Sequence, residues 1–176
     1  MDGVIQIACK FLSLRMHGLR KMAEAINYSY DDLIEGVNKI ATLIQAKEEK
    51  FDWIVGVVRG GAIPAVILSH KLKVPMVAIE WSTRDGGEKQ HNCWIPGELL
   101  LNKKVLIVDD IIDDGTTIRE LLADWQQSVF DPIPSENIKI ATLYYNTAQP
   151  TAANYYHRAI DRNEDKRWIN FFWEIV

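Results

Sequence analysis

Residues 105–117 read VLIVDDIIDDGTT, from Val105 through Asp109, Asp110, Asp113, Asp114 and Gly115 to Thr116 and Thr117. Residues 105–108 form a continuous apolar run, short enough for a strand buried on both faces of a parallel sheet. Asp109 and Asp110 follow at its carboxyl end, where open α/β sheets hold their ligands. The Asp-Asp-Gly-Thr-Thr segment is then a short loop, and an amphipathic stretch begins at Ile118. A glycine and two hydroxyls opening a helix offer an anion free backbone N–H groups and the positive end of the helix dipole. Carboxylates suited to sugar hydroxyls beside a phosphate cradle imply a sugar-phosphate site.

Working outward, residues 53–58 form a second apolar run, followed by Arg59-Gly60-Gly61-Ala62-Ile63-Pro64 and a helical stretch to Leu72. Paired glycines after a strand let backbone approach a ligand closely, and the arginine supplies charge for it. The remaining chain alternates β and α in the manner that builds a parallel sheet. A helix runs from Ser29, an N-cap with Asp31 and Asp32 in its first turn, to about Ala46. Its buried stripe is Leu33, Val37, Ile40 and Ile44. Strands are expected at 75–80, 104–109 and 138–144, with a helix over 117–129. Residues 82–98 are polar and read as a long loop of the kind that forms a lid.

Spacing separates three families that share parts of the central string. Receiver domains need a phosphate-accepting Asp at the end of a later strand, and the strand from Ile138 ends in Tyr145-Asn146. Phosphatases of the haloacid dehalogenase type would place their nucleophile at Ile112, which has no reactive group. The string resembles the PRPP-binding signature of the type I phosphoribosyltransferases: an apolar run, two acids, two apolar residues and D-T-G-x-T. It departs from that signature at Asp114, where the family usually has Thr or Ser.

Two further segments are similar to the 6-oxopurine branch of that family. Arg59-Gly60-Gly61 resembles its pyrophosphate loop, in which the peptide before the arginine, here Val58–Arg59, is cis. The segment Trp168-Ile169-Asn170-Phe171-Phe172-Trp173-Glu174 resembles a W-I-x-x-P-W-[DE] motif whose first Trp covers the purine ring. An indole face stacked on a base contributes roughly 1–3 kcal/mol. The family's base-reading Lys is matched by Asn146, whose amide can donate to a 6-oxo group or accept from a 6-amino group. The identity of the base stays open.

The resemblance implies an α/β fold of the type I phosphoribosyltransferase kind, a central parallel sheet flanked by helices with a small hood from the two termini. It implies transfer of a 5-phosphoribosyl group from PRPP to a purine. Asp113 would exchange a proton with the ring as general acid/base. Asp114, Gly115, Thr116 and Thr117 would hold the 5-phosphate, and Asp109 and Asp110 the ribose hydroxyls. The same two acids would hold Mg²⁺, largely through water and substrate oxygens. Arg59, Gly60 and Gly61 would bind pyrophosphate, and Trp168, Ile169 and Asn146 the base. Relatives are dimers or tetramers, so a homo-oligomer is expected. Two other readings share the fold: a PRPP- or nucleotide-sensing regulator, and a transferase for a non-purine acceptor.

A chain of 176 residues suits one domain. A net charge of −4 with scattered basic residues argues against a nucleic-acid or membrane surface. Cys9 and Cys93 form no C-x-x-C pair, consistent with reduced thiols and a cytoplasmic location. No apolar run approaches the ~20 residues needed to span a bilayer. His17, His70, His91 and His157 show no ligand spacing. The expected organisation is an N-terminal extension over 1–28 and a transferase domain over 29–176. The domain would comprise a core of about 50–146, a flexible loop at 82–98 and a base-covering hood over about 147–176.

Overall fold

The computed structural model describes residues 25–81, 89–91 and 93–174. In chain order the elements are β1 (Ile26–Tyr28), α1 (Tyr30–Ala46), β2 (Trp53–Val58), α2 (Ala62–Leu72), β3 (Met76–Glu80) and α3 (Ile95–Leu100). They continue with β4 (Val105–Ile112), α4 (Thr116–Gln127), β5 (Ile138–Asn146), β6 (Tyr155–Ile160) and β7 (Ile169–Phe171). Single 3-10 turns lie at Ser135–Asn137 and Phe172–Glu174. The described residues fall into two compact units: those within 31–165, and 25–30 together with 166–174.

The larger unit is a five-stranded sheet, order β3-β2-β4-β5-β6, in which every neighbouring pair is parallel. Helices flank it, as the βα alternation implies. Parallel pairing sends all five carboxyl ends to one edge, which is why the loops after β2, β4 and β5 meet. One face of the sheet carries Val55, Val57, Ile79, Val105, Ile107 and Ile140, packed with Ile118, Leu121 and Trp125 of α4 and with Ile95 and Leu99 of α3. The Trp125 side chain is fully buried; truncating such an aromatic to alanine costs about 3–5 kcal/mol. On the other face Gly56 lets α2 approach, since a Cβ there would lie 2.8 Å from Ala65 Cβ. The α1 helix buries Leu33, Val37, Ile40 and Ile44. It is tied to β6 by the Asp32–Arg158 ion pair and by Lys39 Nζ donating to the His157 carbonyl at 2.6 Å.

Three boundaries differ from expectation. The sheet runs past residue 146, because β6 pairs with β5 from Ala141↔Tyr155 to Asn146↔Ile160. Much of the segment expected as hood therefore belongs to the main sheet. The expected loop at 82–98 ends earlier, since Ile95 and Leu99 are buried in α3; residues 82–88 and 92 lie outside the described residues. Of the extension over 1–28, residues 1–24 also lie outside them, but β1 is a strand. It pairs in parallel with β7, Ile26↔Ile169 through Tyr28↔Phe171, and forms the two-stranded sheet of the smaller unit. Tyr28 packs edge-on against Phe171 with ring centroids 5.3 Å apart, and Phe171 stacks on Trp173.

Candidate active site

The paired register of β2 and β4 ends at Gly56↔Val108, so the last residues of β4, 109–112, pair only with β5. Over this edge of β4, left unpaired by β2, passes the loop Arg59-Gly60-Gly61. A Cβ on Gly61 would overlap the Val108 carbonyl and lie 2.8 Å from both Asp109 Cα and the Val57 carbonyl. One on Gly60 would overlap Asp110 Oδ2. The two glycines are therefore needed for space: the loop after β2 rests directly on the acidic end of β4. The Val58–Arg59 peptide is cis, as the resemblance implies, and Arg59 is exposed.

Asp109 and Asp110 are both buried. Asp109 Oδ1 accepts the Asp110 N–H at 3.0 Å, and Asp110 Oδ1 accepts the Ile111 N–H at 2.7 Å. Each carboxylate is thus oriented by the peptide that follows it. Among the described residues no group of three or more His, Cys, Asp or Glu is arranged to hold a metal ion. Two adjacent carboxylates still fit Mg²⁺, which usually takes one or two protein carboxylates and completes its shell with water and substrate phosphates.

Past β4 the chain turns at Gly115, whose φ of 72° lies in the left-handed region and whose Cβ position is taken by Thr151. Glycine is required there by conformation and by space together. The α4 helix starts immediately after it. Asp114 is exposed, and its Oδ1 accepts the Thr116 N–H at 2.9 Å. That amide is one of the helix-start donors suited to an anion, so in this structure a carboxylate takes it. Arg119, which the sequence pattern did not single out, reaches back over the turn. Its Nη1 donates to the Asp114 carbonyl at 2.6 Å and its Nη2 to Thr116 Oγ1 at 3.0 Å.

Asp113 lies between the turn and the end of β5. Its Oδ1 accepts from Arg162 Nε at 2.8 Å, and its carbonyl accepts from Asn146 Nδ2 at 2.9 Å. Asn146 departs from its expected role. It is only 1% exposed, and its Oδ1 accepts the backbone N–H groups of Ala148 at 3.1 Å and Arg162 at 3.2 Å. Two backbone donors on one end and a backbone acceptor on the other fix the amide's orientation. The side chain is a brace joining three loops, and facing a base would require breaking those bonds. Arg162 was missed because it follows β6, a strand the hydrophobic pattern does not reveal.

Trp168 and Ile169 lie in the smaller unit. Ile169 is buried in β7, whereas Trp168 is exposed and its carbonyl accepts the Ile26 N–H at 2.7 Å.

A family model for the phosphoribosyl transferase domain matches residues 29–175. The chain belongs to that family. This transferase-family chain is 24% identical over 151 residues to a xanthine-guanine phosphoribosyltransferase of Idiomarina loihiensis, covering 84% of this chain and 85% of that protein. It is 38% identical over 73 residues to orotate phosphoribosyltransferase 2 of Mesorhizobium japonicum, where the match spans 42% of this chain and only 35% of that protein. Among solved structures, a purine phosphoribosyltransferase from Pyrococcus horikoshii superposes with a TM-score of 0.65 at 25% identity, covering 87% of this chain and 96% of that one. Among the described residues no helix is long and apolar enough to cross a membrane.

Proposed function

We propose that this member of the family is a purine phosphoribosyltransferase, transferring the 5-phosphoribosyl group of PRPP to a ring nitrogen of a purine. The observation that carries the reading is the seating of the Gly60-Gly61 loop on Asp109 and Asp110, one turn before the Gly115 helix start. A pyrophosphate site, a ribose site and a phosphate site follow one another along a single sheet edge. The purine assignment is supported by the relatives aligned over most of their length, whose names specify purines. The orotate match is confined to about a third of that protein.

In the reaction the anomeric C–O bond breaks, pyrophosphate leaves with the electron pair, and a C–N bond forms through an oxocarbenium-like transition state. Arg59 and the Gly60 and Gly61 amides stabilise the growing charge on the leaving group. Asp109 and Asp110 hold the ribose hydroxyls and would hold Mg²⁺. Bound there, Mg²⁺ supplies charge neutralisation for the diphosphate oxygens. Gly115, Thr116 and Thr117, with the Asp114 backbone, hold the 5-phosphate. Asp113 takes the proton the purine must lose as it becomes a nucleotide.

The test is incubation with PRPP, Mg²⁺ and, separately, guanine, xanthine, hypoxanthine, adenine and orotate. Nucleotide from at least one purine, with an equal amount of pyrophosphate, is the expected result. Product from orotate alone would move the acceptor to a pyrimidine. Measurable PRPP binding without product from any base would leave a sensor in place of an enzyme.

A further inference from the structure

Asp113 does not stand at the site as an isolated acid. Arg162 Nε donates to its Oδ1 at 2.8 Å, in a partly buried pair whose side chains are 17% and 30% exposed. The pair is built from both ends. The Asn146 side chain holds the Asp113 carbonyl at 2.9 Å and the Arg162 N–H at 3.2 Å. A buried amide that clamps the main chains of two residues, whose side chains then meet, fixes an acceptor and a cationic donor side by side at the end of β5. Structural ion pairs also occur at loop junctions. This one contains the acid that the chemistry needs, and the buried Asn146 amide braces both of its members.

We propose that Arg162 is the specificity-determining residue of this site. Together with Asp113 it recognises the six-position edge of a 6-oxopurine. The inference rests on the transferase reading and deepens it by naming the base class and the residue that selects it. A purine presents N7 and its 6-substituent next to each other along one edge. In 6-oxopurines that substituent is an acceptor, and in adenine it is an amino donor. With Asp113 opposite the N7 proton, its guanidinium neighbour falls opposite the 6-substituent. A guanidinium has five donors and no acceptor, so it welcomes a 6-oxo group and opposes a 6-amino group. Asn146, held in the interior by three hydrogen bonds to backbone, does not make that choice. A site built on donors rejects the mismatched base through the unpaired polar groups left behind.

The experiment compares the wild type with Arg162→Ala and Arg162→Lys, using initial rates with guanine, hypoxanthine, xanthine and adenine. Equilibrium binding of GMP, IMP and AMP is measured on the same proteins, with thermal unfolding as a fold control. The wild type should prefer 6-oxo bases and nucleotides. Arg162→Ala should reduce that preference about 10- to 100-fold, mainly through the KM for base, with the KM for PRPP changed by no more than about threefold. Arg162→Lys, which keeps the charge but loses the planar fork, should recover part of it.

An equal loss for 6-oxo and 6-amino ligands, or an intact preference in a folded Arg162→Ala protein, would overturn the proposal. So would a wild type that prefers adenine or AMP. If the wild type forms no nucleotide from any base yet binds GMP over AMP in an Arg162-dependent way, the assignment of Arg162 stands and the transfer reaction is what fails.

Discussion

Replacing Asp114 by Thr should tighten PRPP binding, and the size of the effect can be worked from the turn itself. The Asp114 carboxylate accepts the Thr116 N–H at 2.9 Å, so a 5-phosphate arriving at this helix start meets both a competing acceptor and a like charge. Asp114 is exposed, which places the repulsion nearer the aqueous limit of about 1 kcal/mol per pair of unit charges at ~4 Å. A phosphate monoester carries close to two charges, giving roughly 2 kcal/mol of repulsion. Arg119, hydrogen-bonded to the Asp114 carbonyl and to Thr116 Oγ1, offsets part of it. A net 1–2 kcal/mol corresponds to a KM for PRPP lowered about 5- to 30-fold in Asp114→Thr.

Asp114→Asn separates the two contributions. It keeps a side-chain acceptor for the Thr116 amide and removes only the charge, so it should recover most of the gain if repulsion dominates. The assay is initial velocity against PRPP at saturating base, paired with equilibrium binding of PRPP at low and high salt. The advantage of Asp114→Thr should shrink as salt screens an exposed charge. An unchanged or higher KM in both variants would refute the reasoning.

Asp113→Asn keeps the shape of the side chain and removes its basicity, so kcat should fall about 10²- to 10⁴-fold while PRPP binding persists; a variant turning over at the wild-type rate would reassign the proton transfer. Gly61→Ala puts a methyl into the Val108 carbonyl and against Asp109 Cα, atoms that cannot rotate away. It should lower stability by about 1–3 kcal/mol in denaturant titration and weaken PRPP binding, whereas a wild-type titration curve would show the loop resting elsewhere. His157 tests the junction of α1 and β6: burial, then the Arg158 charge, hold its imidazole below the ordinary value, with Lys39 adding to this and Glu35 and Asp32 opposing it. The unfolded chain takes that proton more readily, so the contribution is fully present above the unfolded value of about 6.5 and is lost as pH falls from there toward the folded value. Thermal unfolding between pH 5 and 8 should show a shallower acid slope in His157→Gln than in the wild type, and identical slopes would remove His157 from the account.

The elements legible in the sequence are those whose burial is continuous or strictly periodic. β2 and β4 are apolar runs buried on both faces, and α1 shows its buried stripe at helical spacing, because in each the pattern reports a single local environment. β6 fails that test: its sequence YYHRAI mixes a buried Tyr155 and His157 with Arg158, and its position as the last strand of the sheet frees it from uniform burial. α3 is six residues with an internal glycine, too short for a helical period to emerge. β1 and β7 are three residues each, and neither has meaning without a partner almost the whole chain away. The site divides in the same way. Gly60-Gly61, Asp109-Asp110 and the Gly115 turn are short contiguous strings directly after apolar runs and are legible. The Asn146 brace, the Arg162 pair and the reach of Arg119 depend on contacts across segments that no local pattern encodes.

Two positions where the chain departs from the family pattern, 114 and 146, also share a physical logic. At 114 an acid stands where the signature has a neutral hydroxyl, which adds negative charge to the turn proposed for the phosphate; Arg119 donates to that same turn at the Asp114 carbonyl and at Thr116 Oγ1. At 146 a neutral amide stands where the signature has a cation; that amide accepts the N–H of Arg162, whose guanidinium then meets Asp113. In each case an arginine outside the signature brings positive charge to within hydrogen-bonding distance of the altered segment. An anionic substrate can tolerate four aspartates on one sheet edge only where such charges are supplied nearby. A change at one signature position thus implies looking for its counter-charge among residues that fold beside it, not among those next to it in sequence.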